Sequence, residues 1–103
     1  MGRKFEWDEP KANANLKKHD VSFELARRAF DDPFAILSQD RIEGGEGRWQ
    51  TLGMANGVIL LLVAHTFVDG DEDIEIIRII SARRAERSEK KLYEQNRQNL
   101  LRH

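Results

Sequence analysis

At 103 residues the chain has the length of one domain, and a single unit over residues 1–103 is expected, with its core at about 5–96 and a frayed C-terminus. Seventeen bases against eighteen acids leave a formal charge of -1, which excludes global attraction to nucleic acid or membrane but not a local basic site. There is no cysteine, so disulfide scaffolds, cysteine zinc sites and thiol nucleophiles are excluded.

Phe5-Glu6-Trp7 reads as a short edge strand. Asp8 is a good N-cap, and Pro10 falls in a first turn where its missing N–H costs nothing, so a polar helix is predicted over Glu9–His19. Asp20 breaks it. Ser22 caps a second helix carrying Phe23, Ala26 and Phe30 at helical spacing, and Asp31-Asp32-Pro33 stops that one.

From Phe34 the period changes. Phe34–Leu37 is a short strand candidate, and Asp40–Gly47, with three glycines, reads as a flexible loop. Arg48–Ala55 and Val58–Thr66 flank Asn56-Gly57, which favours a type I′ turn and predicts a hairpin. Val58 to Val63 is apolar at every position, as suits a central strand covered on both faces. Asp69–Asp73 forms an acidic turn, Ile74–Ser81 a further strand, and Ala82 to about Asn96 a closing helix. The expected fold is therefore α+β: N-terminal helices, an antiparallel sheet of about four strands, and a C-terminal helix. The longest apolar run, Val58 to Ala64, falls far short of the ~20 residues of a bilayer span. Met1-Gly2-Arg3-Lys4 leads into no apolar secretory segment, so a cytoplasmic protein without membrane partner is expected.

Charge is uneven. Arg83 to His103 holds seven bases and three acids. Much of this is a solvated helix face with pairs such as Glu86–Lys90, but Arg83 and Arg84 sit where the last strand hands over to the helix. Arg78 stands among isoleucines, sharing a strand face with Ile74, Ile76 and Ile80. A guanidinium cannot shed its charge, so it either meets a carboxylate, such as Glu24 from a helix, or faces a wet cleft that holds an anion. Arg48, at the mouth of the glycine-rich segment, can reach such a cleft with Arg83. Trp49 reads as core.

His19, after Lys17-Lys18, sits at a helix C-terminus that favours its protonated form. His65 ends the most apolar strand. No histidine spacing suggests a metal site. Asp69, Asp71 and Asp73 imitate the start of a calcium loop, but Ile74 and Ile80 replace the glycine and glutamate such a loop needs. No glycine motif for a nucleotide is present, and no cofactor is expected.

Phe5-Glu6-Trp7-Asp8 with Lys11, Asn15-x-x-Lys18-His19, Val21-x-Phe23-Glu24-x-Ala26 and Phe30-x-Asp32-Pro33 together resemble the BrnT family of toxins. So do Arg48-Trp49, Gly53, Val63-x-His65-Thr66, Ile77-Arg78-Ile79-Ile80-Ser81-Ala82-Arg83, Glu86-Arg87 and Tyr93. The likeness spans about Phe5 to Tyr93. One departure is Gly47, where the family commonly has Glu before the Arg-Trp pair; here Glu46 stands one residue earlier.

The resemblance implies the toxin of a type II toxin–antitoxin system: a RelE-like α+β endoribonuclease that cuts RNA and blocks translation. Its implied partner is a BrnA-like ribbon-helix-helix antitoxin in a 2:2 complex, which reaches operator DNA through the antitoxin. A metal-free nuclease needs a base for the 2′-hydroxyl, an acid for the leaving oxygen and cations for the transition state. Arg48, Arg78 and Arg83 are expected at the phosphate, and His19 or His65 at a proton, with Lys18 assisting or replacing the histidine. Trp49 or Tyr93 is a candidate for stacking a base, and Arg84 for contacting RNA. The competing expectation is a non-catalytic toxin on the same scaffold that acts by covering its target.

Overall fold

The computed structural model describes residues 2–68 and 73–102. In chain order the elements are β1 (Gly2–Glu6), α1 (Glu9–His19), α2 (Phe23–Arg28), a 3-10 turn (Ala29–Asp31), β2 (Ile36–Glu43), β3 (Glu46–Ala55), β4 (Ile59–Val68), β5 (Ile74–Arg84) and α3 (Arg87–Leu101). The strands form one sheet in the order β1-β5-β4-β3-β2. β1 runs parallel to β5, and every other pairing is antiparallel.

The local punctuation acts as its residues dictate. The Asp8 side chain accepts from Lys11 N at 3.1 Å to start α1, and Asp20 ends it in the left-handed region at φ 57°. Ser22 Oγ accepts from Leu25 N at 3.0 Å to start α2. Asn56 and Gly57 both have positive φ, as a type I′ turn requires, and Val58 N donates to Ala55 O at 3.1 Å.

Four expectations need correction. The sheet has five strands rather than about four, and it is mixed. Parallel pairing needs a long return, which the whole of α1 to β4 provides. The segment 40–47 is a hairpin rather than a loop: β2 and β3 pair out to Glu43 and Glu46, because Gly44 and Gly45, at φ 59° and 77°, supply a two-residue turn. β5 continues through Ala82, Arg83 and Arg84, which pair with Val63, Leu62 and Leu61. The closing helix therefore starts later, where Glu86 and Glu89 form a capping box, and runs to Leu101. Of the acidic turn, residues 69–72 lie outside the described residues.

The sheet buries two unequal faces. α1, α2 and the 3-10 turn cover one, where Val21, Phe23, Ala26 and Ala29 meet Ala55, Leu61, Val63, Ile79 and Ala82. On the other, α3 covers only one end, and Tyr93 packs with Leu52, Leu60 and Ala85. Among the described residues no helix is long and apolar enough to cross a membrane.

Three contacts seat these layers. Buried Asn15 donates to Val21 O and Ala82 O, both at 2.9 Å, and accepts from Ala82 N at 3.1 Å, tying α1 to β5 as a further strand would. Asp32 accepts from Phe34 N, from Met54 N and from the Tyr93 hydroxyl, so one carboxylate joins the helical layer, β3 and α3. At Gly53 the chain needs the missing side chain, because a Cβ there would lie 2.4 Å from the Ala29 carbonyl oxygen.

That close approach gives a direct test. Gly53→Ala forces the 3-10 turn off the sheet, and is expected to cost about 1–3 kcal/mol as overpacking does, read as a lower urea midpoint with an unchanged slope.

Candidate nucleic-acid interface

In a regular strand, residues an odd number apart point to opposite faces, so Arg78 and Arg83 should diverge. They do not. Ala64 pairs with Ser81 but His65 pairs with Ile79, leaving Ile80 as an extra residue in β5. The bulge shifts the alternation by one. Before it Ile77 and Ile79 face the helices, and after it Ala82 does. Arg78, opposite Thr66, and Arg83, opposite Leu62, therefore share the other face. Their paired residues are four apart on β4, roughly 13 Å at 3.3 Å per residue.

This face is open beyond the reach of α3. Glu6 pairs with Arg78, and Arg78 with Thr66. Trp49 pairs with His65, so Arg48 falls opposite Thr66. The result is a polar row across four strands: Glu6, Arg78, Thr66 and Arg48. A hollow of about 220 Å³ adjoins it, lined by Asp40, Arg41, Glu43, Arg48, Ile80 and Ser81 among others. Two groups in the row are buried without a hydrogen-bond partner among the described residues, Arg48 Nε and the Thr66 hydroxyl.

Each arginine has a carboxylate. Arg78 donates through Nε at 2.9 Å to Glu6 Oε2, which lies 2.8 Å from NH2. Arg83 grips Glu89 with two bonds, at 2.9 and 2.8 Å. Arg48 Nε lies 3.5 Å from Glu43. None of the three is sealed: their side chains remain 47%, 33% and 29% exposed respectively. The Arg78 partner is thus Glu6 from the edge strand rather than Glu24 from a helix. The Arg83 pair holds the Glu89 carboxyl below its usual range and the guanidinium above its own, chiefly through their mutual hydrogen bonds.

The other residues singled out in the sequence lie elsewhere. His65 is fully buried on the helix-covered face, with Nε2 2.8 Å from Thr51 Oγ1 and its ring edge-on to Phe30 and Phe67. Burial pushes its pKa down to about 4, against a smaller opposing effect of the Thr66 backbone. Trp49 also takes that face, edge-on to Phe67 with centroids 5.5 Å apart. His19 and exposed Lys18 belong to the last turn of α1, away from the arginine row. Tyr93 is buried and its hydroxyl is committed to Asp32; burial first, then that hydrogen bond, raises its pKa to about 12. Arg84 is exposed at the end of β5, beside Lys90 and Glu94. Sequence reasoning missed Glu6 and Thr66. Their signal is their register opposite Arg78, which becomes visible only once β1 and β4 are placed beside β5.

A family model described as the ribonuclease toxin BrnT of type II toxin–antitoxin systems matches residues 7–89. Among solved structures, the chain resembles the Brucella abortus ribonuclease toxin BrnT with a TM-score of 0.58. The two are 24% identical, over 84% of this chain and all of that one, a likeness that carries the fold. No curated protein sequence matches.

Burial of His65 sets a pH dependence. The folded ring titrates at about 4 and the unfolded one at 6.5, so between these values the unfolded chain binds the extra proton. Stability is full above the higher value and falls as the pH drops through the window, by about 3 kcal/mol at ~1.4 kcal/mol per pH unit. Urea unfolding from about pH 7 to 4 should show the loss, and His65→Gln should shrink it.

Proposed function

The chain belongs to the BrnT family of ribonuclease toxins of type II toxin–antitoxin systems, and on that premise we propose that the uncovered sheet face binds RNA and cuts it without a metal. The observation that carries this reading is the placement of Arg48, Arg78 and Arg83 on one open face. RNA brings its own nucleophile, the 2′-hydroxyl, so the protein must supply proton transfer and charge stabilisation. The planar guanidinium fork matches two phosphate oxygens, and three such forks on a rigid sheet meet the charge that builds on the phosphorane.

The carboxylate partners do not block this role. Partly exposed ion pairs contribute only about 0–1 kcal/mol, so a phosphate displaces Glu43 from Arg48 at little cost, while Arg78, held by Glu6 through Nε and NH2, keeps its NH1 edge open to a phosphate oxygen. Arg83 behaves differently. Its two bonds to Glu89, which also caps α3 by accepting from Glu86 N at 2.7 Å, aim it rather than occupy it loosely. Cleavage of RNA by this face stops translation in the cell. The neutralising partner is a BrnA-like ribbon-helix-helix antitoxin, two toxins on one antitoxin dimer, which reaches operator DNA itself. Its acidic segments suit the same arginines and inhibit by covering them.

The purified protein is expected to cleave single-stranded RNA in EDTA, alone or with ribosomes, and to leave 2′,3′-cyclic phosphate ends. Arg78→Ala and Arg83→Ala should each keep the far-UV dichroism of the parent and lose about 10²–10³ in rate, as removal of a transition-state donor does. Bound but intact RNA would assign the protein to toxins that act by covering their target.

A further inference from the structure

A ribonuclease of this kind needs a base at the 2′-hydroxyl, and neither internal histidine stands on the arginine face. His65 is sealed under the helical layer, with one ring nitrogen on Thr51. His19 belongs to the last turn of α1. Lys18 belongs to that same turn, whereas the open face carries carboxylates, and their geometry separates them.

Glu89 has both oxygens committed, Oε1 to Arg83 and Glu86 N and Oε2 to Arg83. Glu43 ends β2, at the sheet edge opposite β1, and its Oε2 is shared between Nε and NH2 of Arg41 and Nε of Arg48. Glu6 is different. It is in register with Arg78, and its Oε2 takes both contacts from that one guanidinium. Its Oε1 has no partner among the described residues, and the side chain is 41% exposed. One oxygen is anchored and the other is free on the face where the phosphate sits.

Resting on the nuclease reading above, we propose that Glu6 is the general base of the cleavage and that Arg78 both orients it and binds the phosphate under attack. Arg78 meets Glu6 through Nε and NH2, which leaves its NH1 edge for a phosphate oxygen. One guanidinium then spans the base and the electrophile, which fixes their separation. Glu6 Oε1 takes the 2′-hydroxyl proton, and the 2′-oxygen attacks phosphorus. The P–O5′ bond breaks, the 5′-oxygen leaves with a proton from water, and the proton on Glu6 returns to the resulting hydroxide. The products are a 2′,3′-cyclic phosphate and a 5′-hydroxyl. Arg48, on the far side of Thr66, holds the other phosphate oxygens.

The test separates chemistry from binding. The wild type and Glu6→Gln are compared for cleavage of a short single-stranded RNA, and for binding of the same RNA carrying a 2′-deoxy residue at the cut site. Glu6→Gln is expected to bind within about threefold of the wild type and to cleave about 10²–10⁴ times more slowly, the range of general-base catalysis. Glu6→Ala should recover part of its rate with added formate, a small exogenous base. Unchanged cleavage by Glu6→Gln, or tighter binding with faster cleavage, overturns the assignment, the second making Glu6 a mere competitor of the phosphate. If Glu6→Gln fails to fold, Glu6→Ala decides through its response to formate, and a folded but unresponsive variant also overturns it. A wild-type protein that leaves RNA intact overturns the nuclease reading and this assignment with it.

Discussion

One surplus residue in β5 is the constraint from which the rest of the open face follows. Without Ile80 as a bulge, the five-residue step from Arg78 to Arg83 would send the second guanidinium into the helical layer and turn Ala82 outward. Burying that charge would cost several kcal/mol, so the core and the basic face require the same irregularity. Asn15 reinforces it. Its side chain bonds both backbone groups of Ala82, two residues past the bulge, where β1 no longer covers the strand edge. α1 thereby holds the shifted register in place from the side.

The second constraint is charge. Three partly exposed arginines on one face repel each other, yet the chain as a whole is nearly neutral. The structure answers this with carboxylates: Glu6 meets Arg78, Glu89 meets Arg83, and Glu43 is shared between Arg48 and Arg41. The three pairs differ in grip. The most exposed carries a single carboxylate oxygen shared between two nitrogens; the least exposed carboxylate, Glu89, is held by two bonds and by the helix cap. The three arginines of the face are thus held with graded firmness, each beside a carboxylate.

Much of the fold was legible because its punctuation is local. Asp8 with Pro10, Asp20, Ser22 and Asn56-Gly57 act within a turn of themselves, and each element they bound lies where they place it. Illegible features depend on partners far along the chain. The parallel pairing of β1 and the meeting of Glu6 with Arg78 join segments separated by most of the sequence, and the bulge at Ile80 shows only in the register of β5 against β4. The glycines at 44 and 45 misled because glycine marks flexible loops and tight turns alike. At the site, a charged residue in an apolar strand picked out Arg78 from pattern alone. Histidines drew attention because imidazole chemistry suits neutral pH, but pattern carries no depth, and depth removes His65 from the face.

Asp32 has a consequence for the order of assembly. Its three donors are Phe34, Met54 and Tyr93, spread over more than half of the chain. Until the last of these emerges from synthesis, the carboxylate remains hydrated and the C-terminal helix has no seat. Arg83 is aimed by a residue of that same helix. A polypeptide still on its way out of the ribosome therefore carries Arg83 without its alignment, which is set only when the final turns have been made.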